Sequence, residues 1–302
     1  LLEISGLTED LHLIKPRMAL ESEILAFHTP EHLENVKLVS AGTGGDAGFF
    51  TPAGRGSFEI AMLSAGGVIG ALESILAGDV DNAYALVRPP GHHAIAGEGM
   101  GFCIFANAAL AGLKALDEKG LNRIAFVDWD VHHGNGVAAI FADEPRVRYC
   151  SLHEAGGFPG TGIDEGDRGS AGNILNVPLE KGSGSDEYLA ALREKALPFL
   201  MGSEQGGSES SSTGAENDGH SLPSVLLVCA GYDALEADPL ATMGLEPRDY
   251  KRSVDMIVRE FGFPRERIAF GLEGGYCLDP DVGMPAGVVA TCSALLEESS
   301  VT

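Results

Sequence analysis

From about residue 57 onward, two textures alternate along the chain. One is a short apolar run of β type, seen at Ala83–Val87, Arg123–Asp128, Val147–Leu152, Asn173–Val177, Ser224–Ala230 and Arg267–Leu272. The other is a longer stretch with apolar residues at helical spacing. Val68, Ile69, Leu72, Ile75 and Leu76 form one stripe, and Ala106, Ala109, Leu110, Leu113 and Leu116 form a second. Val254, Ile257, Val258 and Phe261 form a third, and Val282–Leu296 reads as a further helix. Near-continuous apolar strands separated by amphipathic helices predict an α/β fold: a doubly wound, open parallel sheet covered by helices on both faces. Leu1–Leu13 reads as the middle of something helical. The chain opens without an initiator methionine or a basic leader, so its beginning is expected to lie upstream of Leu1. No repeat at a fixed period is apparent.

Residues 202–223 break the alternation, being rich in Gly, Ser and Glu and nearly free of apolar side chains. They read as a low-complexity surface loop inserted between a helix and the next strand. The alternative is a linker between domains. The chemistry below draws on residues from both sides of it, so one catalytic domain over residues 1–302 is expected.

Composition narrows the function classes. The 302 residues are 44% hydrophobic and 21% charged, in the range of folded globular proteins. No uninterrupted apolar run approaches the roughly 18–20 residues of a membrane span, so no membrane partner is expected. A formal net charge of −24 disfavours direct nucleic-acid binding and favours cationic partners. Cys103, Cys150, Cys229, Cys277 and Cys292 make an odd number, several in apolar runs, and read as reduced thiols rather than a disulfide framework. With no basic run to suggest the nucleus, the expected location is the cytoplasm.

In an open parallel sheet, ligands bind beyond the carboxyl ends of the strands. Four strand ends carry polar groups among glycines: Arg88-Pro89-Pro90-Gly91-His92-His93, Asp128-Trp129-Asp130-Val131-His132-His133-Gly134-Asn135, Ala230-Gly231-Tyr232-Asp233 and Glu273-Gly274-Gly275-Tyr276. Asp130 and His132 lie two apart, which in extended chain places both on one face together with Asp128. With Asp233 from another strand end they form a three-donor set that zinc accepts, and three protein ligands leave a position open for chemistry. Taken singly, each of these aspartates reads as a helix cap or turn residue. The tandem His92-His93 follows a rigid Pro-Pro-Gly turn, and histidine is the common general base near neutral pH.

These segments, together with Gly101-Phe102-Cys103, Ser151-Leu152-His153, Phe158–Gly162 and Ala230–Pro239, occur in the order found in a known family. The sequence resembles the histone deacetylases of the arginase/deacetylase fold, and within them is similar to the class II branch and its bacterial amidohydrolase relatives. The resemblance implies a zinc-dependent deacetylase acting on the acetyl amide of N-acetyl-lysine in proteins or peptides. It implies Asp130, His132 and Asp233 as metal ligands, with ferrous iron as an alternative to zinc. It implies His93 as general base and His92 as its electrostatic or proton-donating partner, with Asp128 orienting His92. Asn135 stands where the partner of His93 falls, as in class II, and Tyr276 matches the tyrosine that polarises the scissile carbonyl. Gly101, Phe102 and Phe158 match the walls of a narrow lysine tunnel. Asp128, Asp130, His132, Ser151 and Leu152 match a structural monovalent-cation site, taken as potassium.

Leu240, after the Asp238-Pro239 pair, stands where relatives that prefer acetylpolyamines carry an acidic gatekeeper. That argues for acetyl-lysine, while the acidic overall charge keeps a small acetylated amine as the rival substrate. An arginase-like reaction wants two manganese ions and more carboxylates at the strand ends. A non-catalytic acetyl-lysine-binding module predicts loss of a ligand, the base or the tyrosine. The sequence leaves the oligomeric state open.

Overall fold

A computed structural model describes residues 1–117, 121–202 and 222–297. Six parallel strands form the main sheet: β1 (Ala83–Ala85), β2 (Ile124–Asp128), β3 (Val147–Glu154), β4 (Ile174–Leu179), β5 (Val225–Ala230) and β6 (Ile268–Leu272). Their spatial order is β1-β6-β5-β2-β3-β4. All six coincide with the apolar runs of the sequence, with ends shifted by one or two residues.

Strand alternation explains why those runs are apolar throughout. Ile124 and Phe126 of β2 enter one core cluster, while Ala125 and Val127 enter the other. Leu227 and Cys229 of β5 face the first cluster, and Leu226 and Val228 face the second. A strand buried on both faces cannot show the polar–apolar alternation of a half-exposed one. Each large side chain sealed in this way, such as Phe126, contributes roughly 1.5–3 kcal/mol by leaving water.

The first face is covered by α1 (Pro30–Ala41), α2 (Ser57–Ala77), α3 (Asn107–Asp117) and α4 (Asn135–Phe141). The second is covered by α5 (Ser185–Ala191), α6 (Leu197–Met201), α7 (Pro247–Asp255) and α8 (Met284–Leu296). A π-helical stretch, Leu192–Ala196, joins α5 to α6, and another, Met256–Glu260, continues α7. Of the predicted stripes, Val68, Ile69, Leu72 and Ile75 are buried on α2 and Ala109, Leu110 and Leu116 on α3, while Leu113 is half-buried and Leu76 is exposed. α2 ends where Gly78, at φ 75°, turns the chain and its N–H returns to Ile75 O.

One expectation changes. The segment read as helical at Leu1–Leu13 holds only a single 3₁₀ turn, Leu7–Glu9, because Gly6 at φ 80° interrupts the helical path. By mean hydropathy rather than unbroken runs, α2 is long and apolar enough to cross a membrane, yet half of it is buried inside the protein. Ala61, Ala65, Val68, Ile69 and Leu72 on it are core residues. The inserted stretch read at 202–223 lies almost wholly outside the described residues. All five thiols are free, with four buried and Cys277 half-buried.

The chain runs from β2 outward through β3 to β4, then returns to place β5 on the other side of β2. The direction of winding therefore reverses between β2 and β5, the place beyond whose carboxyl ends open sheets of this kind bind ligands. Asp128 ends β2, Asp130 and His132 follow it, and Asp233 follows β5.

Candidate active site

Asp130, His132 and Asp233 meet at that reversal, with one ligand atom from each within 4.8 Å of the others. His132 Nδ1 lies 3.1 Å from both Asp130 Oδ1 and Asp233 Oδ2. Backbone donors hold the carboxylates in place. Gly274 N–H donates to Asp130 Oδ2 at 2.7 Å, and Val131 N–H donates to Asp233 Oδ1 at 2.9 Å. The inner oxygen, Asp233 Oδ2, is buried without a well-directed hydrogen bond. Such an acceptor is costly unless something pairs with it.

Glycines make the close approach possible. A Cβ on Gly274 would stand 2.2 Å from Asp233 Oδ2, and one on Gly231 would stand 2.2 Å from Asp130 Oδ2. Burial opposes a charge on His132, but the Asp130 and Asp233 carboxylates close to its Nδ1 outweigh it and lift its pKa to about 11. Asp130 is held below the usual carboxylate range because His92 and His132 outweigh its burial, while burial and the charge of Asp130 push Asp233 up. Two hard oxygens, an imidazole nitrogen and an orphaned buried acceptor fit a divalent metal.

The tandem histidines lie beside this cluster, their ring centroids 3.9 Å apart. His92 Nδ1 lies 3.1 Å from Asp128 Oδ2, which also accepts the Tyr149 hydroxyl at 2.8 Å. Burial pulls the His92 pKa down, but Asp130 and Asp128 overcome it and raise it to about 10. His93 is the opposite case: burial and the neighbouring His92 charge push it well down, so it is neutral. Its Nδ1 lies 2.9 Å from Asn135 Oδ1, while Asn135 Nδ2 donates to His93 O at 3.3 Å. An amide oxygen only accepts, so Nδ1 carries the proton and Nε2 keeps its lone pair.

Tyr276 is placed by Asp238, whose Oδ2 accepts the Tyr276 N–H at 2.7 Å. Burial, together with Asp130 and Asp233, pushes its phenol far up, so it remains a donor. The Phe158 ring stands edge-on to His93 at 5.0 Å, and the Phe102 ring lies 5.9 Å from Tyr276. Gly101, at φ 53°, has no room for a side chain: a Cβ would meet Phe158 at 2.6 Å and His93 at 2.7 Å.

A comparison with known proteins matches this arrangement. The Histone deacetylase domain family matches residues 1–290. The chain belongs to the histone deacetylase family. It is 41% identical over 284 residues to the histone deacetylase-like amidohydrolase of Pseudomonas aeruginosa, covering 91% of this chain and 69% of that protein. It is 34% identical to the mouse polyamine deacetylase HDAC10, covering 91% of this chain and 40% of that protein. The crystal structure of the HDA15 HD domain superposes with a TM-score of 0.85 at 34% identity, covering 99% of this chain and 81% of that one. A deacetylase of this family is a hydrolase acting on acetylated amines such as polyamines or lysines, and the family is generally metal-dependent.

The remaining residues singled out in the sequence are placed less centrally. Ser151 pairs with Asp128 across β2 and β3, and its hydroxyl bonds His153 Nδ1 at 2.9 Å; Leu152 is the next residue along β3. Leu240 is 52% exposed and its N–H is held by Asp238 Oδ1 at 3.0 Å. Sequence reasoning gave no role to Tyr149, to Asp238 or to Phe49, which stacks on Phe158 at 6.1 Å with the rings 12° apart. Phe49 sits in a Gly-rich stretch without periodicity and carries no sequence signal. A second omission is the fastening of the Phe158 segment. His133 Nδ1 bonds Thr161 Oγ1 at 2.8 Å and His153 Nε2 bonds Gly162 O at 2.9 Å, so two buried histidines tie that wall to the metal-side segment.

Proposed function

We propose that this chain hydrolyses the acetyl amide of N-acetyl-lysine side chains in proteins or peptides, using a zinc ion held by Asp130, His132 and Asp233. The carrying observation is the convergence of those donors beside a neutral histidine with a free Nε2 lone pair. Ferrous iron suits the same donors. A divalent metal there supplies a Lewis acid that polarises a carbonyl and acidifies water.

The chain's own groups account for the proton movements. His93 Nε2 takes the proton as water attacks the acetyl carbon, and Asn135 fixes the tautomer that makes this possible. A neutral amide raises the basicity of His93 less than a carboxylate would. His92, kept cationic by Asp128 and Asp130, supplies positive charge beside the developing oxyanion. Tyr276 donates its phenolic hydrogen bond to that oxyanion, where preorganised donors count most. A protonated histidine then gives its proton to the departing lysine amine. Gly101, Phe102 and Phe158 would flank the apolar lysine stem in this reading. Potassium among Asp128, Asp130, His132, Ser151 and Leu152 completes the reading, supported by the pairing of Asp128 with Ser151.

A second substrate class has support of its own. Net charge of −24 and the likeness to a polyamine deacetylase favour a small acetylated cation. The exposed Leu240 at the gatekeeper position argues against it. Hydrolysis of an acetyl-lysine peptide and of an N-acetylpolyamine, side by side with metal-loaded protein and Asp233→Asn as blank, tests the choice. Peptide turnover that vanishes in the blank supports the lysine reading. Turnover of the polyamine alone overturns the Leu240 argument, and no turnover of either with zinc bound points to another acyl group, an incomplete N-terminal rim or a binding module.

A further inference from the structure

Three consecutive backbone N–H groups of the histidine turn end on side chains rather than on other backbone. Pro89 and Pro90 have no N–H, so Gly91 and His92 carry the first donors of the turn. Both donate to one atom, Glu273 Oε2, at 2.6 and 3.0 Å. The next, on His93, lies 3.5 Å from Cys103 Sγ. Successive N–H groups of this kind form an anion-binding concavity, and here a side chain of the chain itself fills it. Glu273 is 1% exposed and comes from the end of β6, in a different part of the sequence from the turn. Its own N–H donates to Ala230 O at 3.1 Å, so the carboxylate stands on the sheet rather than on a loose loop.

Other contacts close the turn from its remaining sides. Ser64 Oγ and Asn107 Nδ2 donate to Pro89 O at 2.7 and 3.0 Å. Gly136 N–H donates to His92 O at 3.0 Å. On the N–H side Glu273 takes the Gly91 and His92 donors, with Cys103 Sγ beside the third, and Glu273 is the first residue of the strand end that also carries Gly274 and Tyr276 into the site. Gly274 holds Asp130, and Tyr276 follows two residues later.

We propose that Glu273 is a positioning residue for the tandem histidines: its carboxylate fixes the Gly91–His92 backbone and thereby the placement of the His92 and His93 rings. The proposal rests on the deacetylase reading for its kinetic consequence but not for its structural one. Two variants, Glu273→Gln and Glu273→Leu, are compared with the parent as full-length, metal-loaded protein. Bound metal, KM and kcat on an acetyl-lysine peptide, and the downfield proton resonances of the His92 and His93 Nδ1–H groups are measured.

The Leu variant is expected to keep its metal and its KM while kcat falls roughly 10- to 100-fold and the two resonances shift or broaden. The Gln variant, whose amide oxygen can accept the same N–H groups, is expected to recover most of both. Unchanged kcat and unchanged resonances in the Leu variant overturn the proposal. If the Leu variant does not fold, Glu273→Asp replaces it; its carboxylate stops one methylene short, and the same loss is expected. Parent-like resonances in the Asp variant also overturn the proposal. If the parent turns over no peptide, the deacetylase reading fails, and the resonances still decide the role of Glu273.

Discussion

Two of the buried histidine pairs among the described residues differ in the charge they hold. His28 and His32 lie 5.0 Å apart, ring to ring, and both pack on Phe105. His28 Nε2 accepts the Ala106 N–H at 2.9 Å, and His32 Nε2 donates to Ile104 O at 2.9 Å. Burial, with His32 beside it, pulls His28 down to about 3, and burial lowers His32 as well. His92 and His93 are as deeply buried and stack more closely, yet His92 rises to about 10. Carboxylates make the difference. Asp128, Asp130 and Glu273 surround His92, whereas the first pair is enclosed mainly by rings and backbone. Burial of an imidazole by itself therefore yields a neutral residue, and acidic groups delivered by two separate strand ends turn one into a cation.

The sharpest way to break this contrast is to remove a carboxylate from the site. Asp233→Asn is expected to lose bound metal and, with it, roughly 1,000-fold or more of the hydrolytic rate, read by metal content and peptide turnover. Parent-like turnover with metal retained would disconnect the acidic cluster from the chemistry.

The structural pair predicts an effect on stability instead. Unfolded histidine takes up a proton near pH 6.5, while folded His28 takes one up only near pH 3. Its stability contribution is thus complete above pH 6.5 and is lost as pH falls from 6.5 toward 3, at about 1.4 kcal/mol per pH unit. Melting temperature measured from pH 7.5 to 5 should fall, and His28→Gln should flatten the curve by about one proton. An unaltered slope in that variant would assign the acid sensitivity elsewhere.

A smaller effect is expected where the neutral pair His133 and His153 grips the Phe158 segment. Gly162 sits at φ 70°, and a Cβ there would stand 2.6 Å from the His133 ring and 2.8 Å from His153 Nε2. Gly162→Ala should cost about 1–3 kcal/mol of stability by overpacking and raise KM more than it lowers kcat. Thermal melts and steady-state kinetics check both halves.

The least effect is expected from the exposed charge network in which Arg17 bridges Glu23 and Glu73. Arg17→Ala should cost about 1 kcal/mol or less, because water and salt screen partly exposed pairs. A larger loss in a urea melt would show that this network resembles the buried cluster after all.

Much of this was determined by the sequence alone. The six parallel strands, the main helical stripes and the residues that meet beyond the strand ends are local in origin. An apolar run buried on both faces and a glycine-flanked polar group after it both leave a mark within a few residues. The helix Pro30–Ala41 also carried such a mark, since Thr29 caps it through His32 N–H and Pro30 begins it. That signal was present and went unread.

Tertiary structure alone decided the contacts that join distant segments. Glu273 Oε2 on the Gly91 and His92 N–H groups spans about 180 residues, and neither end announces the other. The Tyr149 hydroxyl on Asp128, the Phe49 ring on Phe158 and the cationic His92 set against the neutral His28 are of the same kind. The physical reason is common to all of them. Hydrophobic periodicity and turn chemistry act between near neighbours, whereas a hydrogen-bond partner or a shifted pKa depends on which groups the finished fold brings within a few ångströms.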